Sequence, residues 1–393
     1  MRSAANNPFN PGFGDADVWV ERPEQLGVIH SMVDRAVTGA KQAPRLIEQE
    51  RGYGKTTLLA AVEDYVHDWA PGAIVVRVAA VDGEPFTALF VSRLVAALRH
   101  ASAAAELVGA VTDALSRIRQ VRLAGVLDVA LDDGGVDQPA SIALLDALGR
   151  LGEAARADGD RPVVLLLDEA HVIDPQSLRA VFTALQEVIN RPDGSGRVLP
   201  FAVLLAGLPG LRSRFKQHRV TFGERCRDLE LDRLDDEAIR DALLRFERFN
   251  EQGVRFAPDA IERLIEECDG HPHVFQLLGE GAWDATPDAD VITVADVEAG
   301  LASSRRERSR IAAARLSGLT EAQLAWLAAA AELDDDERTL TAICRGYRGN
   351  PKATAADCGS LGSALLTAGV IRPSPDSRRI RFALRGMREH LRT

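Results

Sequence analysis

Residues 45–57 read Arg45-Leu46-Ile47-Glu48-Gln49-Glu50-Arg51-Gly52-Tyr53-Gly54-Lys55-Thr56-Thr57. Arg45–Glu48 has the pattern of a short strand, and Thr57–Val66 that of a helix. A turn bearing Gly52 and Gly54 joins the two, and glycine lets a backbone bend sharply and approach a ligand closely. In such a loop, backbone N–H groups and the helix N-terminus surround a phosphate, whose charge the helix dipole favours. Lys55 would reach the β- and γ-phosphates, and the Thr56 hydroxyl would bind Mg²⁺. The competing reading, a glycine turn that happens to precede Lys-Thr, leaves the flanking strand and helix unexplained. One position departs from the pattern: Gln49 stands where its first glycine belongs. A Cβ there is expected to crowd the turn or demand a backbone angle that Gln dislikes, and so to weaken nucleotide affinity.

Downstream, Val163-Val164-Leu165-Leu166-Leu167-Asp168-Glu169 is an apolar run closed by two acids. A buried strand ending this way places both carboxylates at its carboxyl end, where open α/β sheets bind ligands. Asp168 would then hold the metal's water shell, and Glu169 would orient and polarise an attacking water. Alone, the pair could equally be acids at a helix start; with Gly54-Lys55-Thr56 upstream, the catalytic reading prevails.

Working outward, strands and helices alternate. A helix is predicted over 24–40, a strand over 74–81, a helix from Phe86 to about Arg99, and helices over 141–155 and 177–189. A further strand over 201–206 closes at Gly207-Leu208-Pro209-Gly210. Between 100 and 159 the pattern suggests an Ala-rich helix and an inserted hairpin or short strands, with a turn at Asp132-Asp133-Gly134-Gly135. This alternation predicts an α/β core with a parallel sheet covered on both faces. Beyond Leu229 the strand signals stop, and helical patterns over 235–249, 258–268 and 274–285 predict a small all-helical domain. The last part reads as a connector helix over 303–316, helices over 320–332, 339–347 and 355–368, and short strands near Ile371 and Ile380–Phe382. That order is the order of a winged helix. The organisation expected is an N-terminal arm (1–23, with the Pro- and Gly-rich stretch NNPFNPGFG), a core (24–228), a helical lid (229–302), and a connector with winged helix (303–393).

Composition is that of a soluble globular chain of two or three domains: 393 residues, 46% apolar and 27% charged. No apolar run approaches the roughly 18 residues of a membrane span, and the N-terminus lacks a secretory pattern, so a cytoplasmic protein is expected. Cys226, Cys268, Cys344 and Cys358 are scattered without zinc-site spacing; neither a disulfide framework nor a structural metal is required. Net charge is −11, which excludes a protein that coats nucleic acid over its whole surface. From Arg338 to the end, however, eleven Lys/Arg face three acids, a local net of +8.

These motifs and their order resemble the AAA+ ATPases, and within them the STAND and origin-recognition-like branches. The resemblance looks closest to bacterial, especially actinobacterial, members that open with NPF-x-PGFG, carry RGYGKT and end in a winged helix. Here those features are Asn7-Pro8-Phe9-Asn10-Pro11-Gly12-Phe13-Gly14, Arg51-Gly52-Tyr53-Gly54-Lys55-Thr56 and Ile380-Arg381-Phe382-Ala383-Leu384. The resemblance implies ATP and Mg²⁺ as cofactors: Arg51, Gly52, Tyr53, Gly54, Lys55, Thr56 and Thr57 on the nucleotide, Thr56 and Asp168 on the metal, Glu169 and Lys55 in catalysis. It implies further that Arg225 is an arginine finger acting on a second copy, and that Pro272, in Gly270-His271-Pro272, touches adenine. Arg225 paired to Glu224 or Asp228, and Gly270–Pro272 as a mere helix-breaking turn, are the competing assignments. The family's early Gly-Arg pair is Glu21-Arg22 here, and the polar residue that follows the next strand is replaced by Ala206-Gly207-Leu208.

For the basic tail, a winged helix implies a helix over 355–368 in the major groove and phosphate contacts from Arg378, Arg379 and Arg381. That helix carries no Arg, Lys, Asn or Gln to read bases, so non-specific DNA contact or a partner protein is expected. Two readings of function follow. One is an ATP-hydrolysing switch driving the winged helix against DNA or a partner. The other is a degenerate nucleotide-sensing scaffold that hydrolyses slowly or not at all.

Overall fold

A computed structural model of the chain describes residues 2–12, 17–101, 105–118, 138–374, 378–384 and 386–392. The hairpin or short strands expected near 121–135 lie outside the described residues, as do Phe13, Gly14, Asp376 and Arg385. The chain divides into two compact units, Glu21–Asp232 and a composite of Met1–Val20 with Arg233–Thr393.

The first unit is built on a five-stranded sheet: β1 (Arg45–Glu48), β2 (Ile74–Ala79), β3 (Val163–Asp168), β4 (Phe201–Gly207) and β5 (Arg227–Asp228). Its order is β2-β3-β4-β1-β5, and every pair is parallel. Strands buried on both sides must be apolar at every position, which is why β3 and β4 read as continuous apolar runs. Alternate residues feed two cores. Leu165, Leu167, Val203 and Leu205 pack with Phe90, Leu94, Leu148 and Leu185. Val164, Leu166, Leu204 and Ala206 pack with Ile29, Val33, Leu59 and Val62. The second of these groups lies on α1 (Pro23–Thr38) and α2 (Lys55–Trp69). This three-layer arrangement is the α/β core that the alternation predicted.

In the second unit, helices Asp236–Phe249, Pro258–Cys268, Pro272–Ala285 and Val294–Ser303 contribute to one apolar core, in which Trp283 of the third helix is fully buried against Phe246 of the first. The expectation of an all-helical region past Leu229 is corrected here: Arg255–Phe256 and Val291–Ile292 pair as two-residue parallel strands, too short to leave a periodic signal. Residues of the N-terminal arm are built into this unit. Phe9 is buried edge-on against Phe256 and Phe275, and a Cβ at Gly279 would lie 2.2 Å from its ring. Arg2 is buried, donating to the carbonyls of Ala282 and Val291.

The C-terminal part has helices Glu321–Ala331, Leu340–Arg348 and Gly359–Thr367, then an antiparallel pair, Ile371–Pro373 with Ile380–Phe382. The helix expected from 355 begins as a 3-10 turn at Ala355–Cys358 and becomes α-helical at Gly359. Two of the scattered cysteines meet: Cys344 and Cys358 form a disulfide, with Cα atoms 5.9 Å apart. The basic excess of the tail is also partly spent internally. Arg338 pairs with Asp335, Arg388 with Asp334, Arg392 with Glu332 and Arg372 with Asp269. Three of those acids stand just before Arg338, so a count beginning there overstates the free positive charge.

Candidate functional site

The loop between β1 and α2 turns on two left-handed residues, Gly52 (φ 82°) and Gly54 (φ 81°), which explains why both are glycine. Helix α2 starts at Lys55 with no side chain capping its N-terminus, and apart from Gly54 and its chain neighbours no atom comes within 4 Å of where a Gly54 Cβ would stand. The helix therefore presents free N–H donors over open space, as an anion requires.

Lys55 is 5% exposed and spans the loop, its ammonium donating to the carbonyls of Gln49 (2.7 Å) and Glu50 (2.8 Å). Burial pushes its pKa below the ordinary lysine value, while Glu169 and Asp168 pull the other way. Thr56 donates its hydroxyl to Asp168 Oδ2 at 2.7 Å, which joins the start of α2 to the end of β3 across 112 residues of sequence. Asp168 Oδ1 accepts the Glu169 backbone N–H at 2.8 Å. Glu169 sits in the left-handed region (φ 50°), a costly conformation for a residue with a Cβ, held where β3 breaks into the 3-10 turn Ala170–Val172. Its carboxylate lies 3.6 Å from His171 Nε2. Burial lowers the His171 pKa, Glu169 opposes, and Arg51, Lys55 and Arg214 add to the lowering.

The strain expected at Gln49 is absent. Gln49 is not among the non-glycine residues with positive φ, and its side chain completes the loop. Nε2 donates to the Leu231 carbonyl at 2.8 Å, and Oε1 accepts the Glu50 N–H at 2.9 Å. The Gln49 backbone N–H meets the Gly207 carbonyl, tying the loop to the end of β4. At Ala206-Gly207-Leu208 no polar side chain is offered, and a Cβ on Gly207 would fall 2.8 Å from Leu211.

Three residues that sequence reasoning did not assign to the site brace it. Arg22, 8% exposed, donates to the carbonyls of Tyr53 (3.1 Å) and Asp232 (2.9 Å); its place in Glu21-Arg22 was the available signal. Glu48, the last residue of β1, accepts the Arg212 backbone N–H at 2.9 Å. His171 is the third, and only the register of Asp168-Glu169-Ala170-His171 could have suggested it.

Arg51 is exposed beside the loop, and Thr57 follows on α2. Arg225 is not near Lys55. It ends a short helix (Phe222–Arg225) just before β5 and lines a recess with Lys41, Pro44, Gln186 and Asn190, at the N-terminal end of β1. Asp228, its suggested partner, is taken by Arg212, and among the described residues Arg225 makes no ion pair. Pro272 belongs to the other unit, as the first residue of a helix whose start His271 caps through the Val274 N–H.

Comparison with known proteins adds the following. Residues 18–199 match the AAA ATPase domain family. The fold is similar to the ORC2 protein of Aeropyrum pernix solved in ADPNP-ADP complexes, at 16% identity over 94% of this chain and 92% of that one, with a TM-score of 0.58. It is also similar to the Walker-type ATPase PABY2304 of Pyrococcus abyssi, at 13% identity over 95% and 96%, with a TM-score of 0.54. No curated protein matches.

Proposed function

We propose that this chain, an ATP-binding AAA+ P-loop ATPase by residues 18–199, is a switch powered by Mg-ATP at the Lys55–Glu169 site. The observation that carries the reading is the Thr56–Asp168 hydrogen bond beside the buried Lys55. Oxygens from the two ends of the site already meet where a hard cation would be held. The uncapped start of α2 and the open space over Gly54 fit a phosphate chain. In this reading Gly52, Tyr53, Gly54, Thr56 and Thr57 supply backbone donors to the phosphates, and Arg51 adds charge at the rim. Lys55 exchanges the carbonyls of Gln49 and Glu50 for phosphate oxygens, a stronger, charge-assisted partner. Thr56 and Asp168 are the residues that would hold Mg²⁺, which would supply charge neutralisation at the phosphates. Glu169 orients the attacking water and accepts its proton, with His171 beside its carboxylate.

Arg225, free of any acid among the described residues, suits a role on the nucleotide of a second copy, which would make the working form an oligomer. The C-terminal helices and hairpin act as the winged helix that contacts DNA or a partner protein, in a cytoplasmic setting. Arg378, Arg379 and Arg381 are exposed there for phosphate contact. A second reading, slow or absent hydrolysis, is favoured by one observation: β4 ends without a polar side chain at Ala206-Gly207-Leu208. Glu169→Gln distinguishes the two. The switch reading expects unchanged Mg-ATP affinity with turnover suppressed; equal turnover in parent and variant would remove Glu169 from its role.

A further inference from the structure

In this acidic protein several arginines of the first unit are paired with carboxylates: Arg77 with Glu63, Arg150 with Asp146, Arg161 with Asp158, Arg191 with Glu153 and Arg212 with Asp228. Four cations without such a partner are gathered in one place. Arg35 on α1, Lys41 on the following loop, Arg45 at the start of β1 and Arg227 at the start of β5 line one recess of about 480 Å³. Glu24 is the single carboxylate on its walls, and among the described residues none of the four cations makes an ion pair. The nearest to a satisfied group is Arg35, which donates to the Lys41 carbonyl at 3.4 Å.

Parallel pairing sets Arg45 directly against Arg227. Arg45 shares the α1-facing side of its strand with Ile47, so its side chain runs toward α1 and Arg35. Its Nε is buried with no hydrogen-bond partner. Burial, then Arg227 and Arg35, lower the Arg45 pKa, which is what uncompensated like charges produce. Such groups remain at a cost unless an anion joins them. The recess is also separate from the phosphate loop: Arg45 opens β1 and Gln49 follows it, about 13 Å along an extended strand.

We propose that Arg35, Lys41, Arg45 and Arg227 form a second anion site, which takes a compact polyphosphate, either free or as the tail of a nucleotide. A concave pocket with converging guanidinium groups favours a small, multiply charged phosphate over an extended polymer.

The test uses the full chain carrying Lys55→Ala, so that the phosphate loop does not compete. Inorganic tripolyphosphate and ATP are titrated separately by calorimetry at two salt concentrations. Saturable, salt-sensitive binding of tripolyphosphate is expected. Arg45→Gln with Arg227→Gln should weaken it at least about tenfold, given the strength of charge-assisted hydrogen bonds. Comparable ATP binding would identify the ligand as a nucleotide tail, and tripolyphosphate binding alone a free polyphosphate; both support the site. Arg35→Gln, at an exposed position, should act in the same direction if the double variant fails to fold. No binding of either ligand, or binding that these substitutions leave unchanged, overturns the proposal.

Discussion

Replacing Gln49 by glycine restores the residue normally found at the first position of the phosphate loop, and reasoning from the motif alone would expect tighter ATP binding. The structure predicts the opposite. Gln49 has no left-handed backbone for glycine to relieve, and its amide makes two hydrogen bonds, to the Leu231 carbonyl and from the Glu50 N–H. Each contributes about 0.5–1.5 kcal/mol net, and the freedom given to the backbone adds roughly 0.5–1 kcal/mol. Gln49→Gly should therefore cost about 1.5–4 kcal/mol, divided between global stability and order of the loop. A urea melt gives the first share, and a Mg-ATP titration gives the second as unchanged or weakened affinity. A variant as stable as the parent that binds ATP more tightly would refute the reasoning, because it would show that Gln49 strains the loop.

Acid should expose the buried His271. Burial, then Arg315, Arg233 and His273, push its pKa from 6.5 down to about 3. The unfolded chain takes a proton as pH falls through 6.5 while the native chain refuses it, so stability is lost between pH 6.5 and about 3, by about 1.4 kcal/mol already at pH 5.5. Asn can cap the same helix without titrating, so urea melts of His271→Asn should show that much less loss between pH 7.5 and 5.5; parallel curves would contradict the assignment. In the tail, reversing Arg378, Arg379 and Arg381 to Glu should weaken DNA binding alike on every sequence and flatten its salt dependence, by roughly 0.9 in log–log slope per lost phosphate contact. Anisotropy titrations at two salt concentrations measure this, and a parent without DNA binding at low salt would make the module a protein-contact domain.

The parts of the fold legible in the sequence were those set by local chemistry. β3 and β4 could be read because strands buried on both faces must be apolar throughout, and Gly52 and Gly54 because their backbone angles admit little else. Asp168 and Thr56 were assigned to one metal, and the structure brings their oxygens together. What escaped depends on residues far apart in sequence. Gln49 looks like a defect until Leu231, 182 positions away, receives its amide. The pairing of Arg255–Phe256 with Val291–Ile292 is too short for any periodic signal. The tail's charge was misjudged because Asp334 and Asp335, which pair with Arg388 and Arg338, stand just outside the segment that was counted.

The central claim is that the loop ending in Lys55 holds the nucleotide's phosphates. Equilibrium titration of Mg-ATP into the parent and into Lys55→Ala tests it most directly. Loss of a buried ammonium facing phosphate should weaken binding roughly 10- to 100-fold, the worth of one strong charge-assisted interaction, with the fold intact by circular dichroism. If Lys55→Ala binds Mg-ATP as tightly as the parent, the phosphates lie elsewhere and the account of this site fails.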